Sequence, residues 1–180
     1  MNVGILLWET TSVTWKKTLK IPIRYLPKRL SSKDKKEQVK MLLKSRKLYK
    51  KGHYYTRRTL KTFYNITSDH ITRARNIYKI DKIYPNKELA SKTGCSLSAL
   101  KQIVKKGEGA YYSSGSRPNQ TAQSWGVARL GSAITSGKAA AVDYNILEEG
   151  CKPNSKALKL AKIARKKHGH GTRRVPKVKV

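Results

Sequence analysis

Apolar positions along this chain recur with two different periods. Leu19, Ile21, Ile23 and Tyr25 alternate with polar residues, the period of two that marks a strand. Pro22 cannot donate to a ladder, so the segment is expected as an edge strand or an extended arm. From residue 31 onward the period becomes helical. Ser31 or Ser32 can cap a helix whose first turn holds Asp34 and Glu37. Val39, Leu42, Leu43, Arg46 and Tyr49 define its inward face, and Gly52 ends it. Lys36, Lys40, Lys44, Lys47 and Lys51 form a cationic stripe opposite, either a solvated face or a polyanion contact.

Residues 49–64 interleave tyrosines with Lys and Arg. They suit a short strand with alternate Tyr in a small core, or a surface where rings stack on bases and cations meet phosphate. Ser68 then caps a short helix with Ile71, Ala74, Ile77 and Tyr78 on its apolar side.

Residues 86–106 have the pattern of two short helices joined by a tight turn. Asn86 caps the first, with Leu89 and Ala90 inward, and Gly94 suits a left-handed turn position. Ser96 caps the second, with Leu97, Leu100, Ile103 and Val104 inward. Ser98, Lys101, Gln102 and Lys105 are left outward, residue types that a recognition helix offers to base edges and phosphates. An architectural αα-corner would have the same pattern. Residues 107–126 are rich in small, polar and aromatic types and are expected as a loop, with a backbone anion nest near Arg117 as the alternative. Thr121 caps a further helix carrying Trp125, Ala128, Leu130, Ala133 and Ile134. Gly126, Gly131, Ser132 and Ala133 are small enough for a neighbouring backbone to approach. Arg117 and Arg129 are the cations expected to have fixed partners, with Asp143 or Glu148 as candidates. Beyond Cys151, Leu158, Ala161, Ile163 and Ala164 fit a short helix, followed by a cationic tail expected to order only on a polyanion.

The pattern therefore predicts a mainly α fold: a small helical body with an extended or strand-like N-terminal arm and a basic C-terminal tail. The divisions fall at 1–30 (arm), 31–84 (basic helical and aromatic region), 85–151 (central helical domain) and 152–180 (tail).

Charge changes this picture most. The 180 residues carry 41 Lys and Arg against 10 Asp and Glu, a formal net charge of +31. Residues 1–84 are net +17, residues 85–150 net +3, and residues 151–180 net +11 with no acidic group. A nearly neutral centre is flanked by two cationic regions whose self-repulsion is relieved by a negative partner. Cys95 and Cys151, far apart in a Lys-rich chain, suggest thiols in a reduced intracellular setting. The apolar stretch Val3–Trp8 is too short for a signal segment, and no run approaches the ~20 apolar residues of a membrane span.

Catalytic chemistry finds little footing, so the chain is expected not to be an enzyme and to need no cofactor. In Gly131–Ala139 the two glycines are separated by five residues where a P-loop has four, and Ala139 stands where the magnesium-binding hydroxyl belongs. His168 and His170, with Cys95 and Cys151, lack metal-ligand spacing, so no metal site is expected. Asp143, Glu148 and Glu149 are the one acidic cluster and are as readily explained as partners of local cations. The residues expected to contact a polyanion are Lys101, Lys105, Arg117, Lys166, Lys167, Arg173 and Arg174.

One stretch carries a more specific signal: Lys106–Tyr111 (KGEGAY), 114–121 (SGSRPNQT), Ser124–Gly126 (SWG), Ala128–Leu130 (ARL), Ala141–Asp143 (AVD) and Gly150–Cys151. It resembles a domain of unknown function shared by large eukaryotic DNA viruses, such as algal viruses and mimivirus relatives, and by some tailed phages. The text near Arg24 and Ser45 is similar to the eukaryotic-virus members. The resemblance spans roughly half of the chain and implies a viral origin and a role in the virion or at the genome. Two readings follow. One is a small basic minor capsid component located in the virion, and in the infected-cell interior during assembly, that touches capsid proteins and nucleic acid, DNA above all. The other is a helix-turn-helix protein acting on viral DNA.

Overall fold

The computed structural model describes residues 20–65, 67–171 and 176–179. Among them lie eight α-helices and one two-stranded sheet. The Val3–Trp8 stretch, Arg173 and Arg174 lie outside the described residues.

Most helix starts follow cap residues, although Ser68, expected to cap a helix, makes no side-chain cap bond. α1 (Ser32–Tyr49) begins where the Ser31 hydroxyl accepts from the Asp34 amide. α2 (Asp69–Tyr78) ends at Lys79 in a left-handed conformation, φ 53°. α3 (Lys87–Thr93) is capped by Asn86 and closed by Gly94 at φ 71°, and α4 (Leu97–Ser113) is capped by Ser96. α5 (Ala122–Ala133) opens on a reciprocal capping box between Thr121 and Ser124. α6 (Lys138–Val142), α7 (Tyr144–Gly150) and α8 (Lys156–His168) complete the set.

α4 is the central element. Leu100, Ile103, Val104 and Tyr111 are buried along it, and it packs on α5, α1, α7 and α3. The helix runs seven residues beyond Lys106, through Gly107 and Gly109, where the sequence pattern suggested a loop. Helix propensity disfavours those glycines, but packing requires one of them. A Cβ on Gly107 would lie 2.6 Å from the Gly126 Cα, and one on Gly126 would lie 2.7 Å from the Val104 carbonyl oxygen. α4 and α5 thus cross backbone to backbone. The actual loop is 114–121. Its Ser114 and Gly115 amides both donate to the Ala110 carbonyl, so they terminate the helix and form no anion nest.

The main core joins α2 through α8, with Ala74, Tyr78, Leu89, Leu130, Ile134, Leu147, Leu158 and Ala161 among its buried members. Ile163 is 55% exposed, and α8 buries Ala157 in addition to Leu158, Ala161 and Ala164. Two smaller clusters seat the N-terminal part: Ile21, Tyr25, Leu26 and Leu42, and separately Leu30, Met41, Leu60 and Phe63.

α1 buries Gln38, Met41, Leu42 and Ser45, while Leu43 is 39% exposed. That face is rotated from the one its apolar spacing predicts, because α1 docks on backbone carbonyls as well as on side chains. Gln38 Nε2 donates to the carbonyls of Tyr25 and Ser116, and Ser45 Oγ donates to that of Tyr112. A buried carbonyl without a donor costs about 1–3 kcal/mol, enough to outweigh one exposed leucine.

β1 (Lys20–Pro22) pairs antiparallel with β2 (Lys177–Lys179), Ile21 opposite Val178. Pro22 does sit in an edge strand. The end of the tail supplies its strand partner. Residues 50–64 form no strand: the segment is irregular, with Tyr54 71% and Tyr64 80% exposed while Leu60 and Phe63 are buried.

Cys95 and Cys151 are joined by a disulfide across a separation of 56 residues, so neither is the free thiol expected from the sequence. An antiparallel bridge between the same two residues surrounds it, with the Ser96 amide donating to Gly150 O and the Lys152 amide to Gly94 O. The bridge brings the two sulfurs together, a proximity that linear spacing does not reveal. As disulfide sulfurs, the two cysteines are not thiolates that could join His168 or His170 around a metal ion.

Candidate polyanion-binding face

The segment carrying the family resemblance folds into one connected set of contacts. Its centre is Asp143, 1% exposed, at the junction of α6 and α7. Arg129 from α5 meets both carboxylate oxygens, Nε to Oδ2 and Nη2 to Oδ1, each at 2.7 Å. Lys106 from α4 reaches Oδ1 at 2.8 Å. Asp143 is therefore the fixed partner of Arg129, and Lys106, which spacing alone did not single out, completes the triad. Two cations on one carboxylate leave a surplus positive charge at this edge of α4.

That edge lines an open groove of about 430 Å³, bounded by Tyr49, Gln102, Lys105, Lys106, Ser113 and Arg129. Lys101 and Lys105 lie one helical turn apart and are exposed, as are Ser98 and Gln102. The groove thus brings together Lys105 and Gln102 of the predicted outward face with the two cations bound to Asp143.

The other expected contacts lie elsewhere. Arg117 is exposed in the 114–121 loop. It is close enough to His70 to act with burial and Arg73 in holding that imidazole below its ordinary range, with Asp69 opposing. Lys166 and Lys167 are exposed in the last turn of α8, which packs mainly on α6 and α7, so they mark a different part of the surface. Cations in a final helical turn also suit the negative end of the helix dipole.

Beneath the loop lies a cation that sequence reasoning missed. Arg57, 8% exposed, lies over the Tyr111 ring with 3.6 Å from guanidinium carbon to ring centroid. Its Nη1 donates to Ser45 Oγ and Tyr111 O, and its Nη2 to Ser116 Oγ at 2.7 Å. Every one of these acceptors is neutral. Burial pulls the guanidinium below its usual value, partly offset by Tyr111 and two further tyrosines, and arginine remains charged there. Arg57 therefore ties the irregular segment to α1, α4 and the loop. Asn119, at φ 56°, performs a similar task by pairing its side-chain amide with the backbone N–H and C=O of Leu60. The signal for Arg57 was only its place among tyrosines, which is equally that of a surface cation.

In the Gly131–Ala139 segment, the amides of Gly137 and Ala139 donate to Ser132 O and Oγ, so they close the turn from α5 to α6. Among the described residues no helix is long and apolar enough to cross a membrane.

Fold and surface together define an α-helical protein with a cationic groove along its central helix. The chain belongs to a family of unknown function (DUF5824), whose model matches residues 22–168. The match is wider than the stretch that carried the resemblance, since it takes in α1, α2 and all of α8. No curated protein and no solved structure matches the chain.

Proposed function

We propose that this chain is a non-enzymatic structural protein of a virus particle, a small basic minor capsid component of a large double-stranded DNA virus that contacts shell proteins and nucleic acid. The observation that carries the reading is charge. With 10 acidic groups for 41 basic ones, at least 31 cations have no carboxylate of their own whatever the fold. A polyanion or an acidic protein surface is the natural counter-charge. Support comes also from the viral resemblance and from the exposed cations Lys101 and Lys105 beside the Lys106–Asp143–Arg129 triad. The test separates particles of the source virus into shell and genome-containing core and locates the protein by mass spectrometry. Recovery with the shell after nuclease and high salt is the expected result. Absence from particles would sink the capsid role.

A second reading, a helix-turn-helix on viral DNA, is favoured by α3, the Gly94–Ser96 turn and the outward Ser98, Lys101 and Gln102 of α4. It expects Lys101→Ala with Gln102→Ala to relax sequence preference by about 1–3 kcal/mol for each base that those side chains read. If only bulk charge matters, that pair of replacements leaves preference unchanged and weakens all sequences alike.

A further inference from the structure

Three tyrosines cluster next to the α4 groove: Tyr49 and Tyr112, both partly buried, and Tyr54, which is exposed. Tyr49 and Tyr112 lie parallel, with an interplanar angle of 8°, and Tyr54 meets both edge-on, its centroid 4.9 Å from that of Tyr112 and 6.0 Å from that of Tyr49. If the cluster served only to seat the 50–64 segment on α1 and α4, its outer ring would be buried. Tyr54 instead remains 71% exposed, held in place by its two neighbours. The cluster is continuous with the cationic groove through Tyr49. That residue lines the groove beside Lys105, Lys106 and Arg129, and its hydroxyl lies 3.5 Å from where a Cβ on Gly109 would stand.

We infer that this combined surface is a binding site for single-stranded nucleic acid, with a base stacked on the Tyr54 ring and the adjoining phosphate in the groove at Lys105. Aromatic rings with free faces beside a cationic channel accept unpaired bases, whose own faces are open. A duplex hides those faces and would engage only the cations. The inference rests on the nucleic-acid contact proposed above and adds the strandedness of the ligand and the residues that read it. Because every base has a π-face, the site binds with little sequence preference.

The test uses the full chain and fluorescence anisotropy with a labelled oligothymidylate and with a blunt duplex of equal length. Wild type is expected to bind the single strand more tightly. Tyr54→Leu should weaken single-strand binding about tenfold and leave duplex binding and the thermal midpoint unchanged. Lys105→Ala should lower the slope of log affinity against log salt by about 0.7 on the single strand. Tyr84→Leu, at a half-exposed tyrosine outside the groove, serves as the control. Normal single-strand binding by Tyr54→Leu, or an equal loss in Tyr84→Leu, would overturn the stacking site and leave the nucleic-acid contact standing. Binding of neither probe by wild type would overturn both, and would assign the tyrosines to a protein surface.

Discussion

Asp143 offers the sharpest test of how this fold is held, because one buried carboxylate serves two cations from two helices. Asp143→Asn keeps the shape and one acceptor oxygen but removes the charge. The pair to Arg129 is bidentate at 2.7 Å, and the Arg129 side chain is 21% exposed. Two charge-assisted bonds in that setting contribute about 1.5 kcal/mol each. The Lys106 bond is discounted to less than about 1 kcal/mol, because that side chain is 45% exposed and water screens it. Asparagine retains part of one bond, while the two cations, left without their carboxylate, repel each other. The net loss is about 3 kcal/mol, at the low end for breaking a buried pair. For a chain of this size that lowers the thermal midpoint by roughly 6–12 °C. Urea unfolding followed by circular dichroism measures it, and adding Arg129→Leu to Asp143→Asn should cost less than the sum of the two single replacements. A loss under about 1 kcal/mol, or strict additivity, would refute the buried-triad account.

Three further outcomes are expected. Reduction, or Cys95→Ser, releases a cross-link over a separation of 56 residues, worth about 4 kcal/mol by chain entropy; a scan with and without reductant should show a midpoint drop of roughly 8–16 °C. Gly107→Ala places a methyl 2.6 Å from the Gly126 Cα, so the α4–α5 crossing must open, at about 1–3 kcal/mol; an unchanged urea midpoint would mean the helices slide apart freely. Burial and Arg73 hold His70 below its ordinary pKa, so the folded state keeps it neutral while the unfolded chain takes a proton near pH 6.5. Its contribution is complete above that pH and is lost as pH falls through the folded value. His70→Gln should therefore show a flatter decline of thermal midpoint than wild type between about pH 7 and pH 5.

Local chemistry was enough to place most elements in advance. Ser31, Asn86, Ser96 and Thr121 each satisfy an orphan amide at a helix start with their own side chains, and Gly94 adopts the left-handed turn it was expected to adopt. Those are interactions within a few residues, which is why they can be read from the linear order. The inward face of α4 as far as Val104 was likewise set by its spacing, as was the outward placement of Lys101 and Lys105.

What tertiary structure decided lies in contacts between residues far apart in the chain. Gly107 and Gly109 break helices on their own, and Gly107 became an asset only when α5 brought Gly126 against it. The face of α1 followed the carbonyls of Tyr112 and Ser116, which no periodicity within α1 encodes. The grouping of Lys106, Arg129 and Asp143, the burial of Arg57 among neutral acceptors, and the joining of Cys95 to Cys151 all needed three-dimensional proximity. Net charge is set by composition alone, because +31 does not depend on the fold, and it is what motivates the negative partner proposed above. Where that charge is gathered into a groove, and which tyrosines stand beside it, depended on helices packing in three dimensions.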